Sequence, residues 1–360
     1  RCLLPRHAGR RSVWRGGARP IVLLKKKPES TIVEEVSPKQ DWLGVMLPYT
    51  PLHYLLFTDH FPLLTALVLT SGNLSEEPIA TGNDEARERL ANLADAFLMH
   101  DRDIHVRCDD SVVRVFSEQP QITNHQLPIT YPIRRSRGYS PFPVKLPFQV
   151  PPLLATGSEL KNTFCITNGN YAFLSHHIGD MENYETLQSF EQGVEHFERL
   201  FRVKPVAIAH DMHPNYLATR YALERAEREN LPTIAVQHHY AHVAACMAEH
   251  GLTEPVIGVS FDGTGYGDDG AIWGGEFLVA DYKSYQRMAH VEYFPLPGGD
   301  AAIKKPARTA LALLWSLGME WDDALDSVKE FCAEDQVTLR VQLEKKINTP
   351  MTSSMGRLFD

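Results

Sequence analysis

Eight prolines fall between Phe116 and Pro152 (Pro120, Pro128, Pro132, Pro141, Pro143, Pro147, Pro151 and Pro152), and they limit what the chain can build. Proline fixes φ and lacks an N–H, so no long helix or central strand crosses such a stretch. The chain therefore has to close one hydrophobic core before it and another after it. With 360 residues, 43% of them hydrophobic, it has material for both. The first domain is expected over 1–145, a Pro-rich connection over 146–152 and the second domain over 153–360.

Before the prolines, short apolar runs (Ile21 to Leu24, Gly44 to Leu47, Leu67 to Thr70, Val112 to Val115) alternate with helical stretches. One helix is predicted to start at Asn83-Asp84-Glu85 and to place Ala86, Leu90, Leu93 and Ala94 on one face. After the prolines, Leu153 to Gly157, Thr163 to Thr167 and Tyr171 to Ser175 read as consecutive strands turning at Gly157 and Asn168-Gly169-Asn170. Helices are predicted at Thr186 to Phe201, Asn215 to Asn230 and His238 to His250, with strands at Pro205 to Ala209, Thr233 to Val236, Val256 to Phe261 and Glu276 to Ala280. The fold class is α/β throughout. Three strands followed by alternating strand and helix is the order of an RNase H-like core, the half-unit of actin-like ATPases.

The charge balance, 36 Lys and Arg against 45 Asp and Glu for a net −9, argues against a nucleic-acid binder. Nine basic and no acidic residues lie in Arg1 to Lys27, but this segment runs into the strand-like Pro20 to Leu24 and is expected to be mid-protein surface, not a transit peptide. Phe61 to Thr70, the longest apolar stretch, is far short of the ~20 residues that span a bilayer. Cys2, Cys108, Cys165, Cys246 and Cys332 are widely spaced and form no C-x-x-C pair, which fits a reducing, cytoplasmic setting.

Four segments carry candidate chemistry. Leu69-Thr70-Ser71-Gly72-Asn73-Leu74-Ser75 sets small polar groups directly after an expected buried strand; it reads as a cradle for phosphate or carbamoyl oxygens, or as an ordinary turn. Arg134, Arg135 and Arg137 can supply forked donors to a polyphosphate, or face solvent. His238 and His242, four apart on a helix, share a face within reach of one metal ion, or form a helix-start cluster, while His239 points elsewhere. Asp262-Gly263-Thr264-Gly265-Tyr266-Gly267 follows an apolar strand as a phosphate-approaching loop or a Gly-rich hairpin, and Asp262 is placed to hold a metal or its water.

Together, Ser71-Gly72-Asn73, Asp109-Asp110-Ser111-Val112-Val113 and Arg134 to Gly138 resemble the YrdC-type carbamoyl-adenylate domain. More specific segments resemble the HypF family of hydrogenase-maturation carbamoyltransferases. These are Val45-Met46-Leu47-Pro48-Tyr49-Thr50-Pro51-Leu52-His53, Thr70 to Ile79 and His100-Asp101-Arg102-Asp103-Ile104 in the first domain. In the second they are Gly157-Ser158-Glu159-Leu160-Lys161-Asn162-Thr163, Gln237 to His242, Asp262 to Gly267, Trp273-Gly274-Gly275-Glu276, Gly298 to Ala302 and Thr352 to Asp360. HypF proteins also carry an acylphosphatase domain, paired C-x-x-C motifs and a longer actin-like domain, so the sequence is expected to be an interior piece of such a protein.

The resemblance implies a YrdC-like twisted sheet followed by an actin-like domain of the RNase H-like class. It implies that Ser71, Asn73, Ser111, Arg134 and Arg137 bind ATP and the carbamoyl group, with Arg137 also catalytic. Gly157, Lys161, Asn162, Gly263, Thr264, Gly265 and Gly275 would bind nucleotide phosphates in the second domain. His238 and His242 would hold a divalent metal, Zn or Fe, as threonylcarbamoyl-transfer enzymes do on a helical H-x-x-x-H, with Asp262 catalytic beside it. ATP, with Mg, and carbamoyl phosphate would be the substrates, and the C-terminal cysteine of HypE the acceptor, with no membrane or nucleic-acid partner. Threonylcarbamoyl transfer to tRNA, or nucleotide and partner binding without turnover, are the competing readings.

Overall fold

The structure, a computed structural model, describes residues 13–14, 16–58, 64–75, 77–116 and 129–360. Arg1, Cys2, Phe61, Pro120 and Pro128, named above, lie outside the described residues. The chain forms two compact units. One holds the described residues up to Pro143 with Glu159–Asn168 and Ala172–Pro205; the other holds Val144–Ser158, Gly169–Tyr171 and Val206–Asp360.

The first unit contains β1 (Ile21–Lys25), β2 (Trp42–Val45), α1 (Pro51–Leu56), α2 (Asn83–Arg89), β3 (Val112–Phe116) and β4 (Ile129–Arg134). Its four-stranded sheet has the order β2-β1-β3-β4, parallel between β1 and β3 and antiparallel elsewhere. Alternation along β1 and β3 turns Val22, Leu24, Val113 and Val115 into the core. Burying each such side chain contributes roughly 1.5–3 kcal/mol. Gly138 sits at φ +82°, and a Cβ there would lie 2.6 Å from Ala18 Cα, so this close backbone approach requires glycine.

Two expectations for this unit are corrected. The predicted helix at Asn83 ends at Arg89, and Leu93 is exposed. Leu67 to Thr70 is not a buried strand: Leu67, Val68 and Leu69 are exposed and pair with no strand among the described residues. An apolar run becomes a strand only where a ladder partner exists.

Next come β5 (Val144–Val150), which occupies most of the stretch placed as a connection, β6 (Leu153–Ala155) and β7 (Cys165–Leu174). A hydrogen bond of 2.8 Å from Ser175 N to Phe164 O shows that β7 folds back on itself, with Gly169 at φ +62° in the bend. Helix α3 (Tyr184–Phe201) is capped by Asn183, whose Oδ1 accepts from Thr186 N at 2.8 Å, and buries Phe190, Val194 and Phe197, with Phe190 and Phe197 meeting Phe164 edge to face.

In the second unit β8 (Ala207–Asp211) lies parallel to β6 and to β9 (Thr233–Val236), with α4 (Leu217–Glu229) as the crossover. Helix α5 (His238–His250) follows β9 directly. A second sheet joins β10 (Val256–Tyr266), β11 (Ile272–Ala280), β12 (Tyr285–His290), β13 (Phe294–Pro295) and β14 (Met351–Thr352), with β10 at its edge. Gly258 of β10 faces α5 so closely that a Cβ would meet Val243 Cγ2 at 2.4 Å. The alternate residues Ile257, Val259 and Phe261 are 78%, 54% and 55% exposed. After α6 (Asp300–Lys304), helices α7 (Ala307–Ser316), α8 (Asp326–Lys329) and α9 (Ala333–Glu344) enclose a cluster around Leu311, Trp321, Val328 and Leu339. The short α10 (Met355–Phe359) closes the chain. No helix among the described residues is long and apolar enough to cross a membrane.

Candidate metal centre

Three elements of the second unit converge on one point. The parallel pairing of β8 with β9 sets Asp211 opposite Val236, so the carboxyl end of β8 lies beside the residue that leads into α5. Gln237 starts that helix: its Oε1 accepts from Tyr240 N at 2.9 Å, which fixes where the helical period begins and puts His238 and His242 on one face. Asp262 sits in β10 at the irregularity between Phe261 and Gly265, where the strand's pairing with β11 shifts.

His238 Nε2, His242 Nε2 and the Asp262 carboxylate offer ligand atoms that all lie within 4.8 Å of one another. The Nε2 atoms of His238 and His242 are 3.2 Å apart, and Asp262 Oδ2 is 3.1 Å from the first and 3.5 Å from the second. Two imidazole nitrogens and a carboxylate oxygen are the donor set of a borderline divalent ion such as zinc or iron(II), so the residues fit the metal that the family resemblance implied. Burial disfavours the charged ring of His238, but hydrogen bonds to Asp211 and Asp262 outweigh it and raise its pKa to about 9. Asp262 is held far below the usual carboxylate range: burial opposes this, and the two histidines and the Gly263 N–H, 2.6 Å from Oδ1, overcome it.

Sequence reasoning overlooked several participants. Asp211 is buried, with Oδ2 2.7 Å from His238 Nδ1. Its only sequence signal was a His-Asp pair closing an apolar run. His239, expected to point elsewhere, is fully buried with Nε2 3.9 Å from Asp262 Oδ2. Burial lowers its pKa to about 4, helped by the charge on His238, so its ring is neutral. Ser354 Oγ reaches the carbonyls of Asp262 at 3.0 Å and Gly263 at 2.8 Å, tying α10 to the same turn.

The expected phosphate-binding residues are more dispersed. Gly263, Thr264 and Gly265 belong to β10 and not to a free loop, and a Cβ on Gly265 would come within 2.4 Å of His239 Cε1. Gly275 is packed against Ser353 O. Gly157, at φ +74°, lies in the second unit, whereas Lys161 and Asn162 lie in the first. Lys161 N donates to Asp180 Oδ1 at 2.6 Å, and Asn162 exchanges backbone hydrogen bonds with Gly179 and Ile178.

In the first unit, Ser111 and Arg137 are brought together. The buried Ser111 Oγ donates to Arg137 O at 2.9 Å and accepts from Ser136 N at 2.7 Å. Arg134 reaches Asp109 Oδ1 at 3.5 Å. Asn73 Nδ2 donates locally, to Leu74 O at 2.8 Å and Glu77 O at 2.9 Å. No hydrogen bond among the described residues joins Ser71 or Asn73 to Ser111, Arg134 or Arg137.

Comparison with known proteins extends this picture. Residues 149–249 match the family described as HypF Kae1-like domain, and 258–360 match the one described as carbamoyltransferase, Kae1-like domain, second subdomain. Residues 8–125 match the Sua5, YciO and YrdC family, described as telomere recombination. The chain is 44% identical to carbamoyltransferase HypF2 of Cupriavidus necator, over 98% of its own length and 44% of the relative's. It is 43% identical to carbamoyltransferase HypF of a Synechocystis species, over 95% of its length and 45% of the relative's. It thus spans under half the length of these curated relatives. A crystal structure of full-length HypF in the phosphate- and nucleotide-bound form superposes with a TM-score of 0.88 at 44% identity, covering 99% of this chain and 54% of that one. The T. kodakarensis HypF crystal structure gives a TM-score of 0.83 at 38% identity, covering 95% of this chain and 44% of that one. The expected fold class, a YrdC-like α/β sheet followed by an actin-like, Kae1-type domain, agrees with these matches.

Proposed function

Since this chain belongs to the HypF carbamoyltransferase family, we propose that it forms carbamoyl adenylate and passes on the carbamoyl group during [NiFe] hydrogenase maturation. Carbamate, derived from carbamoyl phosphate, attacks the α-phosphorus of ATP bound with Mg; a phosphorus–oxygen bond forms and pyrophosphate leaves. The C-terminal cysteine thiol of HypE then attacks the carbamoyl carbon, AMP departs and the thiol proton is lost. Both steps belong in a reducing, cytoplasmic compartment.

The observation that carries this reading is the convergence of His238, His242 and Asp262 within 4.8 Å. These three would hold the divalent ion, which when bound polarises the carbamoyl carbonyl. Asp262 stays ionised at all working pH values and so remains available as a ligand or as an anchor for water. The turn from Gly263 to Gly265 is the candidate for phosphate contacts, with the Gly263 N–H already held by Asp262 Oδ1, and in the first unit Arg134 is the more accessible of the two proposed ATP-binding arginines, 40% exposed against 24% for Arg137.

The test is to incubate the chain with ATP, Mg, carbamate, Zn(II) and HypE and to weigh HypE by mass spectrometry. One added carbamoyl group on the HypE C-terminus is expected, with AMP and pyrophosphate formed in equal amounts. Pyrophosphate without HypE modification would restrict the chain to adenylation. Neither product would refute the assignment.

A further inference from the structure

Adjacent histidines His238 and His239 meet opposite hydrogen-bonding partners. His238 Nδ1 is 2.7 Å from Asp211 Oδ2, and an ionised carboxylate only accepts, so this nitrogen carries the proton. His239 Nδ1 is 3.2 Å from Gln237 Nε2. The orientation of that amide is fixed at both ends: its oxygen accepts from Tyr240 N at 2.9 Å, and its nitrogen faces Tyr266 O at 3.1 Å. Gln237 therefore donates to His239, whose Nδ1 is the acceptor. The proton of this neutral ring sits on Nε2.

That Nε2–H has no hydrogen-bond partner among the described residues, and the side chain is completely buried. An unsatisfied buried donor costs about 1–3 kcal/mol, and the nearest carboxylate oxygen is Asp262 Oδ2 at 3.9 Å. The carboxylate is engaged instead with His238 Nε2 at 3.1 Å. An ion bound to His238 Nε2 removes that hydrogen bond, leaving the carboxylate short of one donor beside a donor short of one acceptor.

We propose that Asp211 and Gln237 are positioning residues that impose opposite tautomers on His238 and His239: His238 presents a bare Nε2 as ligand, and His239 presents Nε2–H to steady Asp262 once the ion is bound. This rests on the reading of His238, His242 and Asp262 as the metal site. Carboxylates behind metal-bound histidines commonly act this way. Here the second arm supports the carboxylate ligand instead of an imidazole.

The experiment uses the full chain, 15N-labelled at histidine, with Zn(II). Nitrogen–proton correlation spectra of the Zn(II)-bound chain are expected to show His238 protonated at Nδ1 and His239 at Nε2. Competition with a chromophoric chelator should show Zn(II) affinity falling about 10- to 100-fold in Asp211→Ala and in His239→Phe. Asp211→Asn, which keeps an acceptor oxygen, should recover part of the loss. Protonation of His239 at Nδ1, or parental affinity in both variants, overturns the proposal while leaving the metal site standing. No Zn(II) binding by the parent removes both. Should Asp211→Ala fail to fold, the parent's spectrum and His239→Phe decide the matter.

Discussion

The guanidinium of Arg137 lies 3.6 Å above the centre of the Tyr49 ring. Its three nitrogens are also committed: Nε to Asp110 Oδ1 at 2.7 Å, Nη1 to Ala18 O at 3.1 Å and Nη2 to Arg19 O at 2.8 Å. These bonds fasten the residues leading into β1 to the turn after β4. Arg137→Ala should therefore destabilise the chain by roughly 1.5–3 kcal/mol, as for hydrogen bonds to a charged group, and lower ATP–pyrophosphate exchange as a consequence. Arg137→Lys should recover little, since an ammonium cannot reproduce the fork. Urea unfolding checks this: parental stability in Arg137→Ala would show that these contacts are idle.

Arg134 stands in contrast. Its side chain is 40% exposed and, among the described residues, makes one loose ion pair, to Asp109 at 3.5 Å. Arg134→Ala should leave stability within about 0.5 kcal/mol of the parent, the usual range for surface positions, while weakening ATP binding. Calorimetric titration with ATP measures it, and unchanged affinity would take Arg134 out of the nucleotide site.

Zinc binding should strengthen with pH. His238 has its pKa raised from 6.5 to about 9, against the opposing effect of burial, by Asp211 and Asp262. Below pH 9 an ion must displace that proton, so affinity should climb by up to about tenfold per pH unit until the group titrates. Stability of the metal-free chain should move the other way. A raised histidine pKa contributes stability that is fully present below pH 6.5 and lost as pH rises through 9. Zn(II) affinity that is flat from pH 6 to 9 would rule out proton displacement from His238, and His242→Ala should abolish binding at every pH.

His238 and His242 were legible because helical periodicity needs no tertiary information once the helix start is known, and Asp262 because it closes an apolar strand. Asp211 was not, since it meets His238 across 27 positions and only through the pairing of β8 with β9. His239 misled for a related reason. It does leave the helix on another face from His238, but β10 passes there, and the irregularity after Phe261 brings Asp262 within reach of both faces. Leu67 to Thr70 shows the converse limit, because hydrophobicity marks a candidate strand without supplying its partner.

The outward side of β10 has a consequence for behaviour in solution. Ile257, Val259 and Phe261 form an exposed apolar stripe on an edge strand, extended by Val279 through its pairing with Ile257. Edges of this kind invite strand pairing between copies. The net charge of −9 opposes such encounters through long-range repulsion, which reaches about 30 Å at 0.01 M salt and only about 8 Å at 0.15 M. Colloidal stability should therefore be electrostatic: dilute buffer should keep copies apart, and added salt should let their edges meet.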